Sequence, residues 1–129
     1  MQYSLERRFD ATTDAPAQAR AFIRNALDPY ETDSVETAAL LASELVTNVV
    51  RHAHTALTLL LAWHESVLHV EVSDDDPHPA HQRAMRRRGG GYGLRLVEAF
   101  ATAWGVRAYE CGKTVWFDVD LPDAHTGAA

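Results

Sequence analysis

The spacing of hydrophobic and polar residues along this chain changes several times, and each change predicts an element. Residues 2–9 alternate loosely, as an edge strand does. Ala19, Phe22, Ile23, Ala26, Leu27 and Tyr30 then recur at helical spacing. With Asp14 as a cap and Pro16 suited to a first turn, they predict an amphipathic helix from about residue 15 to 28, ended near Pro29. A second helix is predicted from Asp33 to about Ala53, with Asp33 and Glu36 spaced as a capping box. On a helical projection Val35, Ala38, Ala39, Ala42, Leu45, Val46, Val49 and Val50 share one apolar arc. Glu44, Thr47, Asn48, Arg51 and His52 share the opposite arc.

The apolar run 56–63 predicts a buried strand. Over 67–74, Leu68, Val70 and Val72 face one way and Val67, His69, Glu71 and Ser73 the other, so the two runs predict an antiparallel hairpin turning at His64-Glu65-Ser66. Residues 75–90 are rich in Asp, Pro, Arg and Gly, and predict a long irregular loop, either a functional lid or disordered. A third helix opens at Gly91-Tyr92-Gly93, carries Leu94, Val97, Phe100 and Ala101 at helical spacing, and ends before Gly105. Strands at 104–110 and 114–121 form a last hairpin across Cys111-Gly112-Lys113, and residues 122–129 read as a frayed tail. This order predicts an α/β two-layer sandwich, a mixed and largely antiparallel sheet with helices on one face.

Composition narrows the picture. The 129 residues fit one domain, 1–129, and show no repeat or boundary. A hydrophobic fraction of 47% argues against wholesale disorder. Twelve basic and eighteen acidic residues give a net charge of −6, which disfavours direct nucleic-acid binding. Cys111, the one cysteine, excludes an intramolecular disulfide framework and a cysteine-only zinc site. No apolar run is long enough for a membrane span, and the N-terminus lacks the basic-then-apolar order of a signal peptide. The expected location is the cytoplasm, with no membrane association.

Three features carry candidate chemistry. Glu44 and Asn48 are one helical turn apart, so their side chains are neighbours. Their oxygens suit a hard cation such as magnesium, which would bring a polyphosphate with it, and the pair also fits a solvated helix face. Asp74 shares the parity of Leu68, Val70 and Val72, so it needs a hydrogen-bond partner and suits the exocyclic amine of an adenine. A strand-end aspartate capping its next turn has the same parity. Gly89-Gly90-Gly91-Tyr92-Gly93 before a helix suits close approach of an anion, although glycines also simply start helices. It is neither the dinucleotide fingerprint nor a phosphate loop, and Gly112-Lys113-Thr114 lacks the upstream glycine of that loop. The seven histidines show no metal-ligand spacing. The arginines at 86–88 read as a solvated lid or as a contact for a terminal phosphate or an acidic partner.

Taken together, these segments resemble a known family. Ser43-Glu44-Leu45-Val46-Thr47-Asn48-Val49-Val50-Arg51-His52-Ala53 resembles the N box of the gyrase, chaperone and histidine-kinase-type (GHKL, Bergerat) ATP-binding fold, and more narrowly that of the anti-sigma-factor serine/threonine kinases. Val70-Glu71-Val72-Ser73-Asp74 resembles the first ATP box, Gly91-Tyr92-Gly93-Leu94-Arg95-Leu96-Val97 the glycine-rich second box, and Gly112-Lys113-Thr114-Val115-Trp116-Phe117 the closing strand. The resemblance covers roughly residues 10–121. Two positions depart from the pattern: Asp76 stands where the first box usually has glycine, and Lys113 where a pocket threonine often follows the last strand's glycine. Thr114 has the parity of Trp116 and is left out of the site.

The resemblance implies a role for each residue. Glu44 would be the catalytic general base. Asn48 would hold magnesium, and Asp74 would bond the adenine amine. Gly91, Gly93 and the Leu94 amide would cradle the phosphates beneath a lid at about 75–90. It further implies ATP and Mg²⁺ as cofactors, a sigma factor or similar regulator as a partner, an anti-sigma-factor antagonist protein as the phosphorylated substrate, and room for a homodimer. A nucleotide-binding module that sequesters a partner without phosphoryl transfer, or a small ATPase, stays open beside it. The chain lacks a long dimerisation helix bearing a phosphoacceptor histidine, which excludes a complete histidine kinase.

Overall fold

Side-chain alternation builds the sheet. In the computed structural model, which describes residues 2–28, 30, 32–77 and 94–122, strands β1 (Gln2–Phe9), β2 (Leu57–His64), β3 (Val67–Asp74), β4 (Ala103–Tyr109) and β5 (Gly112–Asp120) stand in the order β1-β2-β3-β5-β4. All four pairings are antiparallel. Leu57, Leu59 and Leu61 of β2, Leu68, Val70 and Val72 of β3, and Val115, Phe117 and Val119 of β5 are buried, and they alternate with half-exposed residues as a one-sided sheet requires.

Helices α1 (Ala15–Ala26), α2 (Thr32–Asn48) and α3 (Arg95–Phe100) supply the second layer. Ala19, Ile23 and Leu27 of the first helical segment are fully buried, and α1 packs along α2. Because α2 meets α1 on one side and β3 and β5 on another, it buries more than the single predicted arc, adding Leu41 and Ser43. Its polar arc is only partly solvated: Glu44, Thr47 and Asn48 are half-buried, whereas Arg51 and His52 are exposed.

Several boundaries move from their expected places, each for a local reason. The Asp14 side chain makes no cap hydrogen bond; its carbonyl accepts from Gln18 N–H instead (3.0 Å). Helix α2 begins at Thr32, so Asp33 lies inside the first turn. Glu36 is held by Arg24 through two 2.8 Å bonds and is not turned back as a capping-box partner. The helix does not stay α to Ala53, because Val49–Ala53 form a π turn closed by His54 N–H on the Val49 carbonyl (2.9 Å). Phe100, expected on the apolar face of α3, is 57% exposed. The last hairpin turns at Glu110-Cys111, which places Gly112 and Lys113 inside β5. No described helix is long and apolar enough to cross a membrane.

Gly112 has a φ of +156°, and a Cβ there would lie 2.0 Å from the Asp74 carbonyl oxygen. The close approach of β5 to the end of β3 therefore requires glycine. The outer face of the sheet holds a charged cluster. Trp116 packs on Gly105, where a Cβ would lie 2.8 Å from the indole Nε1, and its ring lies 5.5 Å from that of His69. The ring nitrogens of His69 face Asp118 (2.5 Å) and Glu71 (2.7 Å), and Arg107 also reaches Glu71 (2.9 Å). Carboxylates only accept, so both bonds at full strength need the doubly protonated ring. Burial alone would lower the His69 pKa, but the bonds to Glu71 and Asp118 outweigh it and raise it. For Glu71, burial works upward and is outweighed by the bonds from His69 and Arg107, so its pKa falls.

Two measurements check this account. Gly112→Ala should lower stability by at least about 2 kcal/mol, read as an earlier urea midpoint with an unchanged slope. A variant as stable as wild type would mean that β5 does not need the close approach. The raised His69 pKa sets the sign of a pH effect: its contribution is full below the ordinary imidazole value of about 6.5 and is lost as pH rises through the raised value. Thermal melts should show the advantage of wild type over His69→Gln shrinking with rising pH from about 6.5 upward. An advantage independent of pH would show that the ring contributes packing alone.

Candidate functional site

The site begins where β3 ends. Leu68, Val70 and Val72 point into the core, and the same parity turns Asp74 inward, where its side chain is 1% exposed. A carboxylate in such a place must be paired or solvated from within. Its Oδ1 accepts the Asp76 backbone N–H (2.9 Å), which closes a tight turn at the strand end. Its Oδ2 accepts from Lys113 Nζ (2.5 Å), whose side chain is 6% exposed. Asp74 and Lys113 are directly opposite in the β3–β5 register, so the pairing follows from the sheet itself. Of the two readings open for Asp74, the turn cap is present, and the buried acceptor remains beside it.

The chain leaving β3 is pinned before it departs. Asp75 N–H donates to Thr55 Oγ1 (3.1 Å), and the Asp75 carboxylate meets Arg8 of β1 (3.0 Å). Asp76, at the position where the resemblance leads one to expect glycine, is buried. Asp75 and Asp76 of the expected lid are thus bonded to the end of β3 and its surroundings, and residues 78–90 lie outside the described residues.

Helix α2 supplies the second group. Glu44 and Asn48 are half-buried and one turn apart, on a helix that packs against β3, β5 and α3. The Glu44 carboxylate has no hydrogen-bond or ion-pair partner among the described residues. Side chains just around it turn back on their own helix: Ser43 Oγ donates to the Leu40 carbonyl (2.8 Å), and Thr47 Oγ1 to the Ser43 carbonyl (2.7 Å). Such bonds leave Glu44 as the unengaged acceptor of that turn. The π turn starts at Val49, directly after Asn48. An extra residue per turn offsets the side chains beyond it, and single π turns recur at functional positions in helices.

Leu94 is fully buried and immediately precedes α3, whose amides open from that point. Gly91 and Gly93 lie outside the described residues. Helix α2, which carries Glu44 and Asn48, packs against β3, which ends in Asp74, against β5, and against α3, which Leu94 precedes. Lys113 joins Asp74, and sequence reasoning did not assign it a role. Its parity with Val115 and Phe117 was the available signal, but only the pairing of β5 with β3 brings it opposite Asp74. Thr114 faces the outer side, bonded to Ser73 (2.7 Å), as its parity predicts. No group of three or more His, Cys, Asp or Glu side chains suited to a metal occurs among the described residues. An oxygen donor set as sparse as Asn48 and Glu44 suits a magnesium ion that keeps most of its ligands from phosphates and water.

Comparisons with known proteins bear on this geometry. A search of curated protein sequences finds no match to the chain. Among solved structures, the chain is similar to one described as the RsbU and RsbW domains of Rv1364c from Mycobacterium tuberculosis, with a TM-score of 0.67 and 20% identity. That similarity covers 92% of this chain and 32% of the other, so this chain spans about a third of the length of the chain it matches. At such identity the likeness speaks for the fold, an open sheet layered with helices. Residues 9–119 match the histidine kinase-like ATPase domain, from the last residue of β1 almost to the end of β5, and the chain belongs to that family.

Proposed function

We propose that this protein is an ATP- and magnesium-dependent serine/threonine protein kinase of the anti-sigma type. In this reading it holds a sigma factor or related regulator and phosphorylates an antagonist protein. The observation that carries the reading is the unengaged, half-buried Glu44 carboxylate one turn from Asn48, on the helix that packs against the strand ending in Asp74. The likeness in fold to a structure containing an RsbW domain supports the narrower class, together with the sequence boxes at 43–53, 70–74 and 91–97.

Each group has a distinct task. Asp74, buried and with acceptor capacity left on both oxygens, takes the adenine amine. Asn48 offers an amide oxygen to the metal, which when bound neutralises charge on the phosphates. The Leu94 amide, at the start of α3, would cradle the phosphates, with Gly91 and Gly93, which lie outside the described residues, sharing that role. Glu44 receives the proton of the acceptor hydroxyl as its oxygen attacks the γ-phosphorus. A new oxygen–phosphorus bond forms, the bond to the bridging oxygen breaks, and ADP leaves with that electron pair. A carboxylate already tied into an ion pair would be a poorer proton acceptor, and Glu44 is not so tied among the described residues.

The reading makes two sets of expectations. Glu44→Gln keeps the shape of the side chain but cannot take a proton. ATP affinity should stay within about threefold, while transfer to the antagonist falls by roughly 10²–10⁴-fold. Asn48→Ala should instead weaken magnesium-dependent ATP binding and remove transfer with it. Labelled ATP and purified antagonist measure both. Full transfer by Glu44→Gln would exclude it as the base, and no transfer by wild type would favour a non-catalytic module that sequesters its partner. Asp74→Asn should cost about 2–4 kcal/mol of ATP binding by calorimetry, because a charge-assisted acceptor is replaced by an amide. Unchanged ATP affinity in a folded Asp74→Asn variant would remove Asp74 from the site.

A further inference from the structure

Lys113 is the only lysine in the chain; the other eleven basic residues are arginines. Lysines are almost never fully buried, and this one is buried at the site. Its single partner among the described residues is Asp74, although an ammonium carries three N–H donors. Asp74 in turn uses two of its roughly four lone-pair positions, one on Asp76 N–H and one on Lys113. The pair therefore presents unused donors beside unused acceptors, on atoms 2.5 Å apart and shielded from water. Buried donors left unused are costly, so a ligand that satisfies them gains more than it would at the surface.

We propose that Lys113 and Asp74 read the nucleotide base together. Asp74 accepts from the exocyclic amine of adenine, and Lys113 donates to the ring nitrogen N1 beside it. The proposal rests on the reading that ATP places its adenine against Asp74. It adds to that reading a second polar contact and a reason for base selectivity. Adenine offers a donor next to an acceptor on this edge. Guanine, held by the same sugar and phosphates, offers a carbonyl oxygen and then an N–H. That order sets an acceptor against the carboxylate and a donor against the ammonium, so guanine meets two mismatches where Asp74 alone would impose one.

The test removes one atom of the ligand. In 1-deaza-ATP the ring nitrogen N1 is replaced by C–H and the amine is kept. Wild type should bind 1-deaza-ATP about 10- to 100-fold more weakly than ATP by calorimetry. Lys113→Met should bind both nucleotides alike. A second readout needs no variant: protein labelled with ¹⁵N-lysine gives one side-chain signal, that of Lys113. It should shift on adding ATP and shift differently with 1-deaza-ATP. Equal affinity of wild type for the two nucleotides would overturn the proposal. So would a Lys113→Met variant that keeps the wild-type ratio, or a lysine signal that both nucleotides leave unmoved. Failure of wild type to bind ATP at all would instead remove the ATP reading on which the proposal stands.

Discussion

Side-chain alternation along the two central strands is the constraint on which the rest of the structure depends. β3 and β5 lie side by side inside the sheet, and β3 from Leu68 and β5 from Val115 bury every second residue. Because that period is two, a slip of one residue in either strand would turn the whole apolar set outward. The apolar residues hold the register, and the register carries the polar ends with it. Asp74 and Lys113 face inward because Val72 and Val115, two residues away on each strand, must. The hydrophobic core thus supplies the force that holds two opposite charges out of water.

A buried charge pair of this kind adds little to net stability, because desolvation offsets most of the attraction. Its value lies in poise. Asp76 N–H and Lys113 hold the carboxylate at fixed geometry from two sides, and its remaining lone pairs keep one orientation. The Gly112 backbone makes this possible by passing too close to Asp74 for any side chain. A turn residue, a strand end and a lysine are thereby parts of a single arrangement. The outer face of the sheet is organised differently. There His69, Glu71, Asp118 and Arg107 share their charge in a half-exposed network that changes with pH.

Helix α2 joins the two layers. Its apolar residues bind it to α1 and to the sheet, so the turn bearing Glu44 and Asn48 is held at the layer boundary. The same packing leaves that turn half-buried. The π turn that follows ends the helix with His54 in a left-handed conformation.

Much of this was legible in the residues themselves. Short-range periodicity determined the order of strands and helices, the inward parity of Asp74 and the neighbourhood of Glu44 and Asn48, since these depend only on residue spacing. Three boxes in the right order were enough to point to the family. Tertiary structure alone decided what these side chains meet. Glu36 pairs with Arg24 of another helix, Glu44, Thr47 and Asn48 of the polar arc of α2 are half-buried while Arg51 and His52 stay exposed, and Phe100 is left outside the core. The pairing of Lys113 was the least legible. Thirty-nine positions separate it from Asp74, and whether it stands inward beside that residue depends on the pairing of β5 with β3. Spacing along a chain encodes local geometry, but a contact between distant segments exists only once packing has chosen the register.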